Sequence, residues 1–301
     1  MFWNVILIIF PLLVAGLICK KGGILTPLRV SLLNKLAFNI LVPALIFNST
    51  HARTFGEIFS LKLVLGFYIV ISLTLILGWF FFRRIQSNAK KSVAIIQSAL
   101  GNINFIGLPI VSTVLGKLAL AKASFLGGIA PIIQFPFAML FLVYMNNPES
   151  RIKNELRRAF LNPIVGSLFV GLLFSQFHLL LPTLGERVVS LLARGTLPVT
   201  LLGVGASLDF KKQTGSLKYS ASVTCLKLLF MPLFGWLIFS LLQVGSLSLK
   251  TGVIMLSMPT AVYTFIYAKE FGADAEFASI NITTTTLLSI LTISAFLVVI
   301  I

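Results

Sequence analysis

The sequence is short of charge, and of negative charge above all. Only 11% of its 301 residues are charged, and Asp and Glu together number 8. A soluble domain carries about 25% charged residues, so an ordinary water-soluble globular protein is excluded. Cysteine is scarce too: Cys19 and Cys225 both lie on apolar segments, which argues against a disulfide framework or a thiolate metal site. His51 and His178 are far apart, with no Cys, His or carboxylate at ligand spacing, and read as loop residues. There is no H-E-x-x-H, G-x-S-x-G, P-loop or paired acidic metal site. We therefore expect no catalytic residue, no metal and no cofactor. A proton relay through intramembrane carboxylates is also disfavoured.

What the chain has in abundance is apolar length and positive charge. Apolar residues make up 57%, and the mean hydropathy is +1.02. Lys and Arg number 24, giving a formal charge of +16. In a soluble protein that balance would suggest a nucleic-acid partner; in a hydrophobic one it marks cytoplasmic loops. The positions of the charges separate the two readings.

Ten apolar segments can be drawn, at 2–19, 32–48, 63–82, 92–115, 123–145, 159–176, 192–208, 219–243, 251–268 and 277–299. Each approaches the roughly 20 residues that cross a bilayer as a helix. None alternates as a barrel strand would, and backbone in lipid must satisfy itself internally, so the class is an all-α polytopic membrane protein. The first segment reads as a span rather than a signal peptide, because Lys20 and Lys21 follow its apolar run instead of preceding it.

The loops after odd-numbered spans hold sixteen basic residues, among them Lys20, Arg83, Lys90, Arg151, Lys153, Arg158, Lys211 and Lys269. Those after even-numbered spans hold seven: Arg53, Lys62, Lys117, Lys122, Arg187, Arg194 and Lys250. The positive-inside rule puts the sixteen in the cytoplasm and both termini outside. The charge thus gives orientation, and no nucleic-acid partner is expected. The longest hydrophilic stretch, within 146–158, divides a first repeat (1–145) from a second (159–301). Five spans are an odd number, so the second half inserts upside down, which predicts an inverted 5+5 repeat if the halves are related. Lys91–Ser98 and Lys250–Ser257 share Lys, Ile and Ser at matching places, and each leads into a helix-breaking motif.

The first motif is Gly101-Asn-Ile-Asn-Phe-Ile-Gly-Leu-Pro109 in the fourth span, and the second is Ser257-Met-Pro-Thr-Ala-Val-Tyr263 in the ninth. Pro109 and Pro259 each remove an N–H, Gly107 lets the chain unwind, and Asn102 and Asn104 bring amides that need partners in lipid. Paired interruptions at corresponding places point to a transporter's binding site, and exposed N–H groups at half-helix N-termini suit an anionic group. Lys227 is the one formal charge well inside a span. Two readings stand evenly: a cation that meets a carboxylate substrate, or a side chain that snorkels to the headgroups. The Ser and Thr of the tenth span, with Asn281, and Gln134 of the fifth read mainly as internal helix bonding. Gly203-x-Gly205 reads as close helix packing.

At these residues the chain resembles the auxin efflux carrier family of the bile acid/auxin carrier superfamily, in its compact bacterial permease form. The likeness is carried by Gly101–Pro109, Leu226-Lys-Leu-Leu-Phe-Met-Pro232, Ser257–Val262 and Phe271-Gly-Ala-Asp274. Leu41-Val-Pro-Ala-Leu-Ile-Phe47 and the stretch from Leu197-Pro198 to Gly205-Ala-Ser-Leu208 extend it. The resemblance implies ten helices in an inverted 5+5 repeat, with helices four and nine broken where they cross. It also implies secondary transport of a small organic anion. The substrate would then lie near Asn102, Pro109, Pro259 and Thr260. Asn104 and Tyr263 depart from the family pattern at that place and leave the substrate's identity open. The partners expected are that anion, the bilayer, a coupling ion (H⁺ or Na⁺) and a second copy of the chain. The alternatives are a Na⁺-coupled or neutral-solute carrier of the same fold, and a non-transporting membrane sensor.

Overall fold

The computed structural model describes residues 2–146, 157, 161–208 and 217–300. Among them the structure is helical, with no strand beyond a single isolated bridge. In chain order the helices are α1 (Phe2–Lys21), α2 (Pro27–Leu36), α3 (Val42–Thr50), α4 (Phe55–Ile58), α5 (Leu61–Phe82), α6 (Asn88–Ala99) and α7 (Leu108–Asn146). They continue with α8 (Pro163–Gln176), α9 (Thr183–Ser207), α10 (Leu217–Cys225), α11 (Met231–Leu241), α12 (Ser246–Leu256), α13 (Tyr263–Glu270) and α14 (Ala275–Ile300). Six helical stretches among the described residues are long and apolar enough to cross a membrane.

The burial pattern is that of a protein solvated by lipid. Phe80, Phe81 and Leu291 are exposed, whereas Gln97, Asn281 and Thr285 are wholly buried. Water would reverse that preference; a hydrocarbon solvent enforces it, because a lone amide facing lipid costs several kcal/mol (roughly) and a Phe costs nothing.

Helix starts follow the local sequence. Asn162 caps α8, its Oδ1 accepting the Ile164 N–H at 2.9 Å ahead of Pro163. Thr54 and Glu57 form a capping box at α4. Three one-turn π segments, Ala37–Leu41, Ile103–Gly107 and Leu226–Phe230, interrupt the helical runs. Each is followed two residues on by a proline: Pro43, Pro109 and Pro232. A proline inside a helix lacks an N–H and crowds the carbonyl four residues back, and a wider turn just before it relieves the crowding. Val42 N accordingly donates to Ala37 O and Met231 N to Leu226 O, five residues back.

Several segment boundaries differ from those read in the sequence. The helix expected over 192–208 begins at Thr183, so Glu186, Arg187 and Arg194 lie on α9 rather than in a loop. Its first turns place polar residues on one face, and that depresses the local hydropathy on which the boundary was drawn. The loop expected between 115 and 123 is a kink inside α7 at Gly116, where φ is +77°. Only glycine adopts that backbone without strain, so the chain turns there and the helix resumes at once. His51 is not in a loop; it closes α3, its ring stacked on Phe47 at 4.9 Å. The expected connection 146–158 lies outside the described residues except for Asn146 and Arg157.

The described residues fall into two compact units. Unit 1 comprises Met1–Leu61, Ile103–Ile132 and Phe160–Ser207; unit 2 comprises Lys62–Asn102, Ile133–Ala159 and Leu208–Ile301. In unit 1, α1 lies against α9 so closely that a side chain on Gly205 would strike the backbone of Leu13. The Gly203-x-Gly205 pair therefore serves helix packing. Unit 2 has its apolar core in Phe82, Val93, Ile95, Val223, Leu226 and Phe277.

Candidate functional site

The first break begins where α6 ends. Leu100 turns to extended backbone (φ −87°, ψ 114°), and Gly101 pairs in an antiparallel bridge with Thr260 of the second break. Asn102 N donates to Pro259 O at 2.7 Å, and Ala261 N donates to Leu100 O at 3.1 Å. The glycine and proline at the breaks free these main-chain groups from their helices, and the two interruptions satisfy one another. Thr260 is buried; its Oγ1 donates to Gln97 O at 3.0 Å, and its N–H donates to Thr285 Oγ1 at 3.2 Å.

Lys227 lies against this bridge. It is 0% exposed, so it does not snorkel. Its Nζ donates to Leu256 O at 2.9 Å, at the C-terminal turn of α12, where the helix dipole is negative. Met231 Sδ lies 2.9 Å from the same Nζ. A side chain on Gly101 would place its Cβ 3.1 Å from Lys227 Nζ, so the ammonium fills the space that this glycine leaves. Lys227 makes no ion pair among the described residues.

Behind the bridge lies a buried polar network that the sequence reading did not assemble. Gln97 Nε2 donates to Thr264 Oγ1 at 2.9 Å and to Ala278 O at 3.2 Å, while its Oε1 accepts from Asn281 Nδ2 at 2.8 Å. Asn281 Oδ1 has no hydrogen-bond partner among the described residues. One signal was available: Gln97 sits in the segment Lys91–Ser98, an amide in an otherwise apolar run one turn before Gly101.

The eight residues singled out in the sequence divide between the units. Asn102, Lys227, Pro259 and Thr260 come together in unit 2. Tyr263 opens α13 three residues beyond Thr260; its ring packs on Phe135 at 4.3 Å, and its hydroxyl is buried with no hydrogen-bond partner among the described residues. Asn104, Gly107 and Pro109 belong to unit 1. Asn104 Nδ2 donates to Gly127 O at 3.2 Å; its Oδ1 has no partner among the described residues and crowds the spot where a Gly127 side chain would stand. Gly107 ends the π turn, and Pro109 O accepts from Thr113 Oγ1 at 2.8 Å.

Chemically, the unit 2 cluster brings together a desolvated Lys227 amino group, main-chain groups that the two helix breaks pair with each other, and neutral amides and hydroxyls. Among the described residues of this cluster no nucleophile is paired with an activating base.

Known proteins share this sequence along its length. The family model described as "Membrane transport protein" matches residues 1–155 and 150–297. An "Uncharacterized transporter" of Methanothermobacter thermautotrophicus is 26% identical over 298 residues, covering 98% of this chain and 97% of that protein. Another, from Methanocaldococcus jannaschii, is 25% identical over 97% of this chain and 96% of its own. The "Putative malonate transporter" of Rhizobium meliloti is 25% identical over 88% of this chain and 85% of its own.

Proposed function

The chain belongs to the membrane transport protein family, the auxin efflux carriers to which its motifs point, and on that premise we propose a secondary active carrier of a small organic anion. Its substrate is a carboxylate, moved by alternating access at the paired helix breaks. The observation that carries this reading is Lys227: a fully buried amino group, with no carboxylate partner among the described residues, beside the Gly101–Thr260 bridge. A lysine inside a membrane span costs about 2.5–3.5 kcal/mol on insertion scales, and a charge held there marks a pathway by default. The Rhizobium relative named for malonate transport agrees in substrate class.

The same reading takes the chain as ten spans in an inverted 5+5 repeat, residues 1–145 and 159–301, with both termini outside a bacterial inner membrane. Support comes from the make-up of the units: Met1–Leu61 joins Phe160–Ser207 in one, and Lys62–Asn102 joins Leu208–Ile301 in the other. Related halves interleave in this way. Asn102, Thr260 and Lys227 bind the anion, with Pro259 shaping the break; Asn104, Gly107, Pro109 and Tyr263 set its surroundings. The coupling ion is Na⁺ or H⁺; Asn281 Oδ1, a buried acceptor beside Gln97 and Thr285, supports Na⁺, since a carboxamide oxygen can ligate a cation but takes up no proton.

Uptake into proteoliposomes tests this function. Malonate, malate, oxalate and auxin-like acids should be offered under pH, Na⁺ and voltage gradients in turn. We expect saturable accumulation of at least one of them; no flux of any organic anion under any gradient would overturn the reading.

A further inference from the structure

Unit 1 contains an open cavity of about 880 Å³, and none of the break residues discussed above lines it. Small-molecule sites typically measure about 300–1,000 Å³, so its size is that of a ligand site. Three segments build it. α9 presents Arg187, Ser190, Leu191 and Arg194, at spacings of three and four residues that place all four on one face. The end of α3 supplies Asn48 and, just beyond it, Arg53. The kink at Gly116 swings Lys117 into the lining.

The charge of the cavity is one-sided. Among the described residues, Arg53, Lys117, Arg187 and Arg194 line it against a single carboxylate, Glu186. Glu57 partly offsets Arg53, with 3.7 Å between Nη1 and Oε1. Lys117, Arg187 and Arg194 have no ion pair among the described residues. These four cations belong to the seven basic residues of the face read as extracytoplasmic, the face that the positive-inside bias leaves poor in them. More than half of that face's positive charge is thus gathered around one hollow.

Like charges so gathered repel one another, and an anion of matching valence relieves the repulsion. A single negative charge leaves most of it in place. Arg187 and Arg194 stand seven residues apart, roughly 10 Å along the helix, and each guanidinium can fork onto a carboxylate. Two long side chains at that separation can close on the two ends of one short dicarboxylate. We propose that this cavity is a binding site for a small dianion, one that selects dicarboxylates over monocarboxylates. Its role in transport rests on the carrier function proposed above; its binding of a dianion does not.

The test uses the full-length protein, with titration calorimetry in detergent and in neutral-lipid nanodiscs. The probes are malonate at pH 7 and its monoanionic methyl ester. The variant is Lys117→Gln/Arg187→Gln/Arg194→Gln, at exposed positions, with its melting temperature checked against the parent. Both forms are also measured in a Lys227→Met background, so that binding at the helix breaks does not mask the cavity. We expect the triple variant to weaken malonate binding about tenfold and to flatten its salt dependence, with the methyl ester changed less than about threefold. In uptake, KM for malonate rises about tenfold while the maximal rate stays within about twofold, the signature of lost uniform binding. An unchanged malonate Kd in the triple variant overturns the proposal. Absent malonate binding by the parent, with phosphatidylglycerol retention that the triple variant loses, overturns it in favour of lipid headgroups. If no anion is transported, the carrier function fails, while the calorimetric difference still decides the cavity.

Discussion

Replacing Lys227 by Met separates function from stability. The side chains are nearly equal in length, so Met fills the space beside Gly101 without the charge. Two opposing terms set the stability change. The parent bears the cost of a lysine in a membrane interior, about 2.5–3.5 kcal/mol. It recovers the hydrogen bond from Nζ to Leu256 O at 2.9 Å, and a bond to a charged group is worth about 1.5–3 kcal/mol. The variant gives up both, so the two nearly cancel and its stability should lie within about 2 kcal/mol of the parent. Transport has no such compensation. Losing a charge contact made within the protein interior costs roughly 2–5 kcal/mol, a fall in uptake efficiency of about thirty-fold or more. The assay pairs thermal unfolding in detergent with initial rates of malonate uptake. Lys227→Arg keeps the charge but must fit a fork where a compact ammonium sits, and should recover only part of the rate. Near-parental uptake by Lys227→Met would falsify the reasoning. So would a stability loss above about 4 kcal/mol, which would make the lysine a structural strut.

Three further outcomes are expected. Gly127→Ala places a methyl group on Asn104 Oδ1 and should lower stability by about 1–3 kcal/mol, read as a drop in melting temperature. Asn281→Leu removes the donor to Gln97 Oε1 and leaves that oxygen buried and unsatisfied; a loss of about 1–3 kcal/mol should appear in thermal unfolding, and any ion dependence of uptake should weaken with it. Cysteines introduced at Lys117 and at Arg83 should differ toward a membrane-impermeant maleimide in intact cells: labelling at 117 and protection at 83, with the reverse pattern inverting the assigned topology.

The sequence made the break positions legible because their causes are local. A proline without an N–H and glycines without a Cβ disrupt a helix wherever they stand, so Gly101–Pro109 and Ser257–Val262 could be marked without knowing their neighbours. The pairing of Leu100–Asn102 with Pro259–Ala261 was harder, since those residues are distant in the chain and bond through backbone atoms that carry no residue identity. Lys227 was conspicuous as a charge in an apolar run, yet its depth depends on a kinked neighbour, and length along its own helix allowed snorkelling as readily as burial. The start of α9 was misplaced for a related reason: hydropathy averages over a helix's circumference, and Arg187 and Arg194 lower that average although they occupy one face only. The two units, each drawn from both halves of the chain, follow from packing alone.

The bridge between the two breaks also limits how the carrier can work. Peptide groups at Asn102 and Ala261 donate across it, and Thr260 is tied both to Gln97 and to Thr285. Prising the strands apart inside a bilayer would strand several of these groups at once, at a cost of roughly several kcal/mol for each. The seam therefore behaves as a keel: in the alternating access proposed above, Leu100–Asn102 and Pro259–Ala261 travel as one piece, with Lys227 aboard.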